Sequence, residues 1–220
     1  MTKMNGADRL CDALLANGVD VCFANPGTSE MHFVAALDAR PQMRCVLGLF
    51  EGVVTGAADG YARMADRPAA TLLHLGPGLG NGLANLHNAR RAHTPMINVV
   101  GNHATHHRDL EAPLSSDVET LAGPMSAWVK SCDRAEDMAA DLNAAYVAAL
   151  AAPGVATLIL PADTAWSEAP ADPVVPATPP APVPFDAAAL DRAVAAVRAG
   201  KRVALLLDGP ALRADPLDKA

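Results

Sequence analysis

The chain has 220 residues, and its 17 Lys and Arg stand against 24 Asp and Glu, which gives a net charge of −7. An acidic chain without a basic cluster argues against nucleic acid as a partner. No run approaches the roughly 18 apolar residues that a membrane helix needs, and the N-terminus lacks the apolar core of a secretory signal. These features predict a cytoplasmic protein with one domain and a further piece.

Helix and strand patterns alternate along the first 160 residues. Six strands are predicted, over residues 21–24, 44–48, 69–74, 96–101, 128–131 and 155–160. Helices are predicted over residues 6–16, 79–92 and 135–151, and two more are predicted to begin after residue 29 and at residue 51. This alternation is typical of βαβ units. We therefore predict an α/β fold with a doubly wound, mainly parallel sheet and helices on both faces. Cys22 and Cys45 fall in predicted strands, which favours buried free thiols.

The domain organisation follows from a change in composition near residue 166. The first domain is predicted over residues 1–166, and the seven prolines within residues 168–184 predict an extended linker over residues 167–185. In residues 186–220 the pattern predicts a helix capped by Asp186 and a buried strand over residues 202–207. One helix and one strand cannot bury their apolar faces unaided. We therefore expect the beginning of a central α/β domain that belongs to a longer chain.

Glu51 stands at a predicted junction between strand and helix, in an otherwise apolar or small stretch. An acid in the first helical turn gains about 0.3 to 1 kcal/mol from the macrodipole, so a purely structural role would explain it. However, Gly52, Gly56 and Gly60 recur every fourth residue, and each costs about 1 kcal/mol against Ala in a helix. Such spacing predicts the close approach of another backbone or of a flat ligand.

Five sequence elements occur in a fixed order along the chain. They are Phe23-Ala24-Asn25-Pro26-Gly27, then Glu51, then Gly60-Tyr61-Ala62-Arg63, then Gly76-Pro77-Gly78 with Asn81, and finally Thr94-Pro95 before the strand that ends at Gly101. In this order and spacing they resemble the N-terminal, pyrimidine-binding domain of the thiamine-diphosphate enzymes of the acetolactate synthase, pyruvate oxidase and benzoylformate decarboxylase group. The resemblance extends from Leu10 to about Pro161.

The resemblance implies a cofactor, a reaction type and a set of site residues. Glu51 would hydrogen-bond the pyrimidine ring of thiamine diphosphate and so activate it, in apolar surroundings supplied by Phe50, Val53 and Val54. The substrate would be a small 2-oxo acid, which is decarboxylated with or without carboligation. The cofactor contacts that the resemblance implies are Pro26, Gly27, Glu51, Gly76, Pro77, Gly78 and Asn81.

Two residues bear on the substrate. His74 matches a histidine that transfers a proton in benzoylformate decarboxylase, and Thr28 matches the serine that holds the substrate carboxylate there. The alternatives are a histidine bonded to a backbone carbonyl and a threonine that caps a helix. Because Gly76-Pro77-Gly78 is closer to the acetolactate synthases, the acetolactate-synthase-like and the benzoylformate-decarboxylase-like activities both stay open.

Other function classes have weaker support in the sequence. A Rossmann oxidoreductase would need a glycine where Asn81 stands and an acid about twenty residues later, and both are absent. His103, His106 and His107 have a spacing that suits metal ligands on a helix, but their polar neighbours favour a solvated loop over residues 102–117. A non-catalytic domain that only binds or assembles with a partner is the remaining alternative.

The resemblance also implies what lies outside this chain. The family binds Mg²⁺ and the diphosphate on a separate domain through Gly-Asp-Gly and a later Asn, a context that this sequence lacks. Each site would then be shared by two subunits of a homo-oligomer, a dimer or a tetramer, and this chain alone would be inactive. We expect the glycine-spaced helix and a loop over residues 76–82 to leave an uncovered apolar face for self-association. Whether FAD binds is not decided by the sequence.

Overall fold

The computed structural model describes residues 4–182, 184–200 and 202–219. Six strands form one sheet in the order β2-β1-β3-β4-β6-β5, and every pairing in it is parallel. The strands are β1 Val21–Asn25, β2 Arg44–Leu47, β3 Ala69–Leu73, β4 Met96–Asn102, β5 Trp128–Ser131 and β6 Val155–Pro161. The predicted α/β fold with a doubly wound sheet is therefore confirmed.

Helices cover both faces of this sheet. Those around the sheet are α1 Gly6–Ala16, α2 Met31–Asp38, α3 Glu51–Ala65, α4 Leu75–Arg91, α5 Val118–Ala122, α6 Met138–Ala151 and α7 Ala162–Trp166. One core contains Leu10 of α1 and Phe33 of α2, and the other contains Val54 of α3 and Leu79 of α4. Within the described residues, no helix is long and apolar enough to cross a membrane.

The order of the strands creates a crevice at one edge of the sheet. β1 is followed by α2, which packs in one core, whereas its neighbour β3 is followed by α4, which packs in the other. Because the two connections leave the sheet on opposite sides, a gap opens between them at the carboxyl ends of the strands. The segments that follow β1, β2 and β3 carry the predicted site residues.

Helix α4 begins earlier than the glycine pattern suggested. It starts at Leu75, so Gly76, Pro77 and Gly78 lie in its first turn, and the predicted loop over residues 76–82 is wrong. The change of direction after β3 is made by Leu75, which has a φ of 53° and is buried. A left-handed backbone costs a non-glycine residue about 1 kcal/mol or more and persists only where the surrounding packing determines it. Pro77 is tolerated because the first turn needs no internal N–H donor there.

Contact with α4 explains only one of the three α3 glycines, Gly56, because a Cβ on Gly52 would instead lie 2.4 Å from Phe50 Cε1. A Cβ on Gly56 would lie 2.9 Å from Asn85 Nδ2, and one on Gly82 would lie 3.0 Å from Thr55 Cγ2. Thr55 Oγ1 also donates to the carbonyl oxygen of Gly82 over 3.1 Å. A helix of the same chain thus approaches Gly56 closely, but the contact is with a side chain and not with the predicted backbone or flat ligand. At Gly60 no close approach is observed, since a Cβ there would have no neighbour within 4 Å.

The two strand cysteines differ in exposure. Cys22 lies in β1, which has a strand on each side, and it is buried as predicted. Cys45 lies in β2 at the edge of the sheet and is exposed, so its predicted burial is wrong. Burial raises the pKa of the Cys22 thiol, which disfavours its reactive thiolate.

The proline-rich segment is held against the first domain. Arg9 donates to the backbone oxygen and to the carboxylate of Asp172, Asn143 donates to the Val175 oxygen, and the Ala177 amide donates to Asn17. Accordingly, one compact unit ends at Pro180 and a second begins at Ala181. The first unit extends beyond the domain end proposed at residue 166, and the functional assignment of each part stays a prediction.

The second unit contains α8 Ala187–Arg198 and α9 Ala214–Lys219. Asp186 caps α8 as predicted, because its side chain accepts from the Ala189 amide over 3.1 Å. Residues 202–207 do not form the predicted buried strand, and Leu206 is 98% exposed. A strand needs a neighbour for its backbone groups, and the described residues of this unit offer none.

Candidate active site

Glu51 is the first residue of α3 and lies beside the first turns of α4. Its carboxylate oxygen Oε2 accepts a hydrogen bond from Asn81 Nδ2 over 3.0 Å. A Cβ on Gly78 would lie 3.2 Å from Glu51 Oε1 and 3.4 Å from His74 Cβ. The structure therefore brings Glu51, His74, Gly78 and Asn81 together, although they come from two different strand-to-helix connections.

The apolar surroundings of Glu51 differ in part from the prediction. Phe50 and Val53 are largely exposed next to it, together with Leu47 and Leu49. Val54, by contrast, is buried in the core between α3 and the sheet, so its predicted place in the wall of the site is wrong. It follows Val53 in the helix and so faces about 100° away from it. We call Leu47, Leu49, Phe50 and Val53 the apolar rim.

His74 has an acidic partner that the sequence analysis did not identify. It is the residue before α4, and its Nδ1 lies 2.8 Å from Oε2 of Glu30, which is fully buried. The same oxygen accepts from the Gly27 amide over 2.7 Å. The alternative of a histidine bonded to a backbone carbonyl is therefore wrong. The spacing of Glu30 three residues after Gly27, as in a capping box, is the signal that could have indicated it.

Two glycines make room for this pair. A Cβ on Gly27 would lie 2.4 Å from His74 Cε1, and a Cβ on Gly101 would lie 1.6 Å from Glu30 Oε1. Both distances are far below van der Waals contact, so any side chain at either position would displace the imidazole or the carboxyl group. Gly27 and Gly101 are thus required for the Glu30–His74 arrangement itself.

Burial is the largest influence on the Glu30 carboxyl group. Burial raises its pKa above the ordinary value for glutamate, while the Gly27 amide and His74 act in the opposite direction. Its second oxygen, Oε1, is buried and has no hydrogen-bond partner among the described residues. An unsatisfied buried oxygen costs free energy, which fits a group retained for a purpose other than stability.

The raised pKa of Glu30 predicts how stability depends on pH. The folded state holds the proton more tightly than the unfolded chain, so this carboxyl group contributes stability below the ordinary glutamate pKa of about 4.3, and that contribution is lost as pH rises through the folded pKa. Urea unfolding of the wild type and of Glu30→Gln should therefore show the wild type losing stability relative to the variant as pH rises through this window. A difference that is constant or grows with pH would contradict the assignment.

The other residues predicted to contact the cofactor or the substrate differ in their exposure and in their neighbours. Thr28 is exposed at the start of a 3-10 turn, Thr28–Glu30, and the capping positions belong to Gly27 and Glu30, so the alternative of a capping threonine is wrong. A Cβ on Gly76 would lie 2.2 Å from Ser116 Oγ, and this contact alone accounts for the glycine. Pro26 is half-buried, and Pro77 is exposed. The cofactor and substrate roles of these residues stay predictions.

The three histidines after β4 do not form a metal site. Residues Thr105–Leu110 form a 3-10 helix instead of a loop, in which the His106 and His107 rings lie 4.9 Å apart and His106 Nδ1 lies 3.7 Å from Asp163 Oδ2. Across residues 4–182, 184–200 and 202–219, no three potential ligands are close enough to share a metal ion.

The residues around Glu51 fit the aminopyrimidine ring of thiamine diphosphate. The carboxylate can hydrogen-bond a ring nitrogen, and the exposed Phe50 and Val53 offer apolar surface to a flat ring. Gly78 leaves the Glu51 carboxylate accessible, since a side chain at this position would be in tight contact with Glu51 Oε1. The groups available to such a ring are thus the positioned Glu51 carboxylate, the side-chain amide of Asn81 beside it, and the apolar surface around them.

Comparisons with known proteins agree with this fit. The chain is 57% identical over 221 residues to a Mycobacterium tuberculosis protein provisionally named acetolactate synthase large subunit IlvX, covering 99% of this chain and 42% of the relative. It is 35% identical over 135 residues to benzoylformate decarboxylase of Pseudomonas aeruginosa, covering 61% of this chain and 25% of that enzyme. Among solved structures, 4-hydroxybenzoylformate decarboxylase of Rhodococcus jostii RHA1 superposes with a TM-score of 0.80 at 26% identity, covering 89% of this chain and 38% of that structure.

The family assignment rests on the segment that contains the site. Residues 4–122 match the family described as "Thiamine pyrophosphate enzyme, N-terminal TPP binding domain", which is more than half of the chain. This segment includes α1 to α5 and β1 to β4, and with them Glu30, Glu51, His74, Gly78 and Asn81. The chain therefore belongs to the thiamine pyrophosphate enzymes, and its residues 4–122 match their N-terminal TPP-binding domain.

Proposed function

We propose that this chain supplies the cofactor-activating half of the active site in a thiamine-diphosphate-dependent, acetolactate-synthase-like enzyme that acts on 2-oxo acids. The observation that carries the proposal is the Glu51 carboxylate at the start of α3, held by Asn81 and left accessible by Gly78. The 57% identity to IlvX supports this reaction class. The chain spans 42% of that relative's length, and the proposed reaction also needs a part that binds the diphosphate, so in this proposal residues 1–220 alone are inactive.

The proposal gives each residue of the site a role. Thiamine diphosphate, when bound, supplies the reactive carbon and the electron sink for decarboxylation. Glu51 would hydrogen-bond the pyrimidine ring and could share a proton with it, and Asn81 holds one oxygen of the carboxylate in place. Once the cofactor and a second subunit cover it, the apolar rim would exclude water from this contact, which favours a shared proton over a solvated carboxylate. Pro26, Gly27, Gly76, Pro77 and Gly78 complete the surface that contacts the cofactor.

Simple decarboxylation of a benzoylformate-type substrate is the second candidate activity. His74 favours it, since an imidazole beside Glu51 and Gly78 can transfer a proton to a decarboxylated intermediate. Thr28 would hold the substrate carboxylate. The likeness to two decarboxylases of this type supports the candidate. Assays of the longer protein with pyruvate and with benzoylformate separate the activities, because only carboligation yields a product with more carbon atoms than the substrate.

The parts of the enzyme outside this chain follow from the same proposal. Mg²⁺ and the diphosphate would be bound by a further domain, and the location would be the cytoplasm. A domain that only binds or assembles is the alternative from a non-catalytic class. Failure of the longer protein to bind thiamine diphosphate, or to turn over any 2-oxo acid, would favour that alternative.

We also propose that the apolar rim is a contact between subunits. The uncovered apolar surface lies at the N-terminal end of α3, with Leu49 90% and Val53 60% exposed, and not at the glycines, which are partly covered by α4. Exposed apolar patches mark interaction sites on soluble proteins, and a two-fold dimer pairs such a patch with itself. A homo-oligomer joined beside Glu51 would place the second subunit's surface next to the cofactor.

Leu49→Ser tests this proposal. Burying a leucine contributes about 1.5 to 3 kcal/mol, and 1.4 kcal/mol is tenfold in affinity. We therefore expect this variant to raise the dimer dissociation constant about tenfold or more in sedimentation equilibrium. Met64→Ser is the matched control, because Met64 is also exposed but lies at the far end of α3. A chain that is monomeric as wild type, or an equal effect of both variants, would contradict the proposal.

A further inference from the structure

Glu30 and His74 form a pair that the cofactor chemistry does not by itself require. The imidazole Nδ1 and the carboxylate Oε2 are 2.8 Å apart, and the two residues are separated by 44 positions in the chain. Glu30 is fully buried, whereas the His74 side chain keeps 22% of its surface exposed. One member of the pair is thus inside the protein, and the other reaches the crevice at the carboxyl edge of the sheet.

The geometry around Glu30 determines which imidazole nitrogen it can contact. Glu30 Oε2 is held by the Gly27 amide at 2.7 Å, and Gly27 also packs on the Nδ1 and Cε1 atoms of the ring. Gly101 provides the space for the other oxygen. The carboxyl group is therefore held in one position, and of the two imidazole nitrogens only Nδ1 lies within hydrogen-bond distance of it. Nε2 makes no hydrogen bond to any residue that the structure describes.

We propose that Glu30 is the positioning residue of His74, which it holds with the proton on Nδ1 and the lone pair of Nε2 free in the crevice. The hydrogen bond made by one ring nitrogen determines the protonation of the other, and a buried carboxylate is a frequent partner for this purpose. Free histidine prefers the opposite form, with the proton on Nε2. The inference rests on the proposed function for its value to catalysis: a free Nε2 in the crevice is the atom on which His74 can take up a proton and from which it can then transfer that proton to the substrate.

Keeping an unsatisfied oxygen buried supports a positioning role over a stabilising one. Glu30 Oε1 has no partner among the described residues, and an apolar residue of similar size would avoid that cost. The strained backbone of Leu75, directly after His74, points the same way, because its φ of 53° is maintained only by the surrounding packing. The unpaired Glu30 oxygen and the left-handed Leu75 backbone are thus two unfavourable features in direct contact with, or adjacent in sequence to, the same residue, His74.

The tautomer can be measured directly in this 220-residue chain. Two-bond ¹H–¹⁵N correlation spectra distinguish the two neutral forms of each imidazole, and the His74 signals are identified by their loss in His74→Asn. We expect the Nδ1–H form in the wild type. We expect Glu30→Leu, which removes the acceptor, to convert His74 to the Nε2–H form, and Glu30→Gln, whose amide oxygen still accepts, to restore the Nδ1–H form. Glu119→Leu, an exposed site, is the matched control.

The outcomes separate this inference from the proposed function. An Nε2–H form in the wild type, or an Nδ1–H form that persists in Glu30→Leu, would overturn the positioning role of Glu30 whatever the enzyme catalyses. If Glu30→Leu does not fold, Gly101→Ala replaces it, because the added methyl group displaces the carboxyl group without removing it, and the same spectra decide. A confirmed tautomer together with full activity of His74→Ala would instead refute the catalytic role of His74 alone.

Discussion

Replacing Glu51 by Gln in the longer enzyme should slow exchange of the cofactor's thiazolium proton by about 10²- to 10⁴-fold, the usual loss for a positioned acid or base. The amide keeps the size of the side chain and its contact with Asn81, but it cannot share a proton with the pyrimidine ring. Exchange into deuterated water, stopped by acid and followed by NMR, measures this step without any substrate. The fold should be unchanged, because Glu51 is only half-buried at the end of a helix.

Two further variants sharpen this test. Glu119→Gln makes the same change at an exposed position of α5 and should leave the exchange rate at the wild-type value. Asn81→Ala removes the donor to Glu51 Oε2 and should cause a smaller loss than Glu51→Gln, since it disturbs the orientation of the carboxylate and leaves its charge. Wild-type exchange in Glu51→Gln would refute the assignment of Glu51 as the activating carboxylate.

Replacing His74 by Ala should lower kcat for an aromatic or branched 2-oxo acid by about 10²- to 10⁴-fold, while the affinity for thiamine diphosphate stays close to the wild type. An interaction made chiefly in the transition state lowers kcat and kcat/KM together, which is the pattern expected here. The variant also leaves Glu30 without its imidazole partner, so some loss of thermal stability is expected. Turnover should therefore be measured well below the melting temperature.

His87→Ala is the control for this variant. His87 is exposed and lies on α4, the helix that follows His74, about three and a half turns away, so its removal should change neither turnover nor stability appreciably. If His74→Ala melts at a lower temperature but turns over its substrate at the wild-type rate, His74 is structural. In that case the benzoylformate-type activity loses its main support.

Local chemistry explains the elements that were predicted well. Helix α1 begins after Asn5, which caps it, and ends at Ala16 before Asn17-Gly18, and β5 covers Trp128–Ser131, both as predicted. Helix caps and the alternation of apolar residues depend on neighbours only a few positions apart. Glu51 was found for the same reason, because the change from strand to helix around it is visible within ten residues of sequence.

Contacts between distant segments explain what was missed. Cys45 has the neighbours of a buried strand residue, and only the position of β2 at the edge of the sheet exposes it. Residues 202–207 have a strand pattern, but a strand also needs a partner that the second unit's described residues do not contain. The start of α4 depends on Leu75, whose left-handed backbone is maintained by packing and has no local sequence signal.

The sequence by itself determined the α/β class, the family resemblance and the place of Glu51, because periodicity, caps and ordered motifs are properties of the chain alone. The packing of distant segments brings Glu30 to His74, gives them the space beside Gly27 and Gly101, and places Gly78 between Glu51 and His74. The reason is topological: β1 and β3 are neighbours in the sheet but are separated along the chain by β2 and two helices. The residues that follow these two strands come together only when the sheet forms.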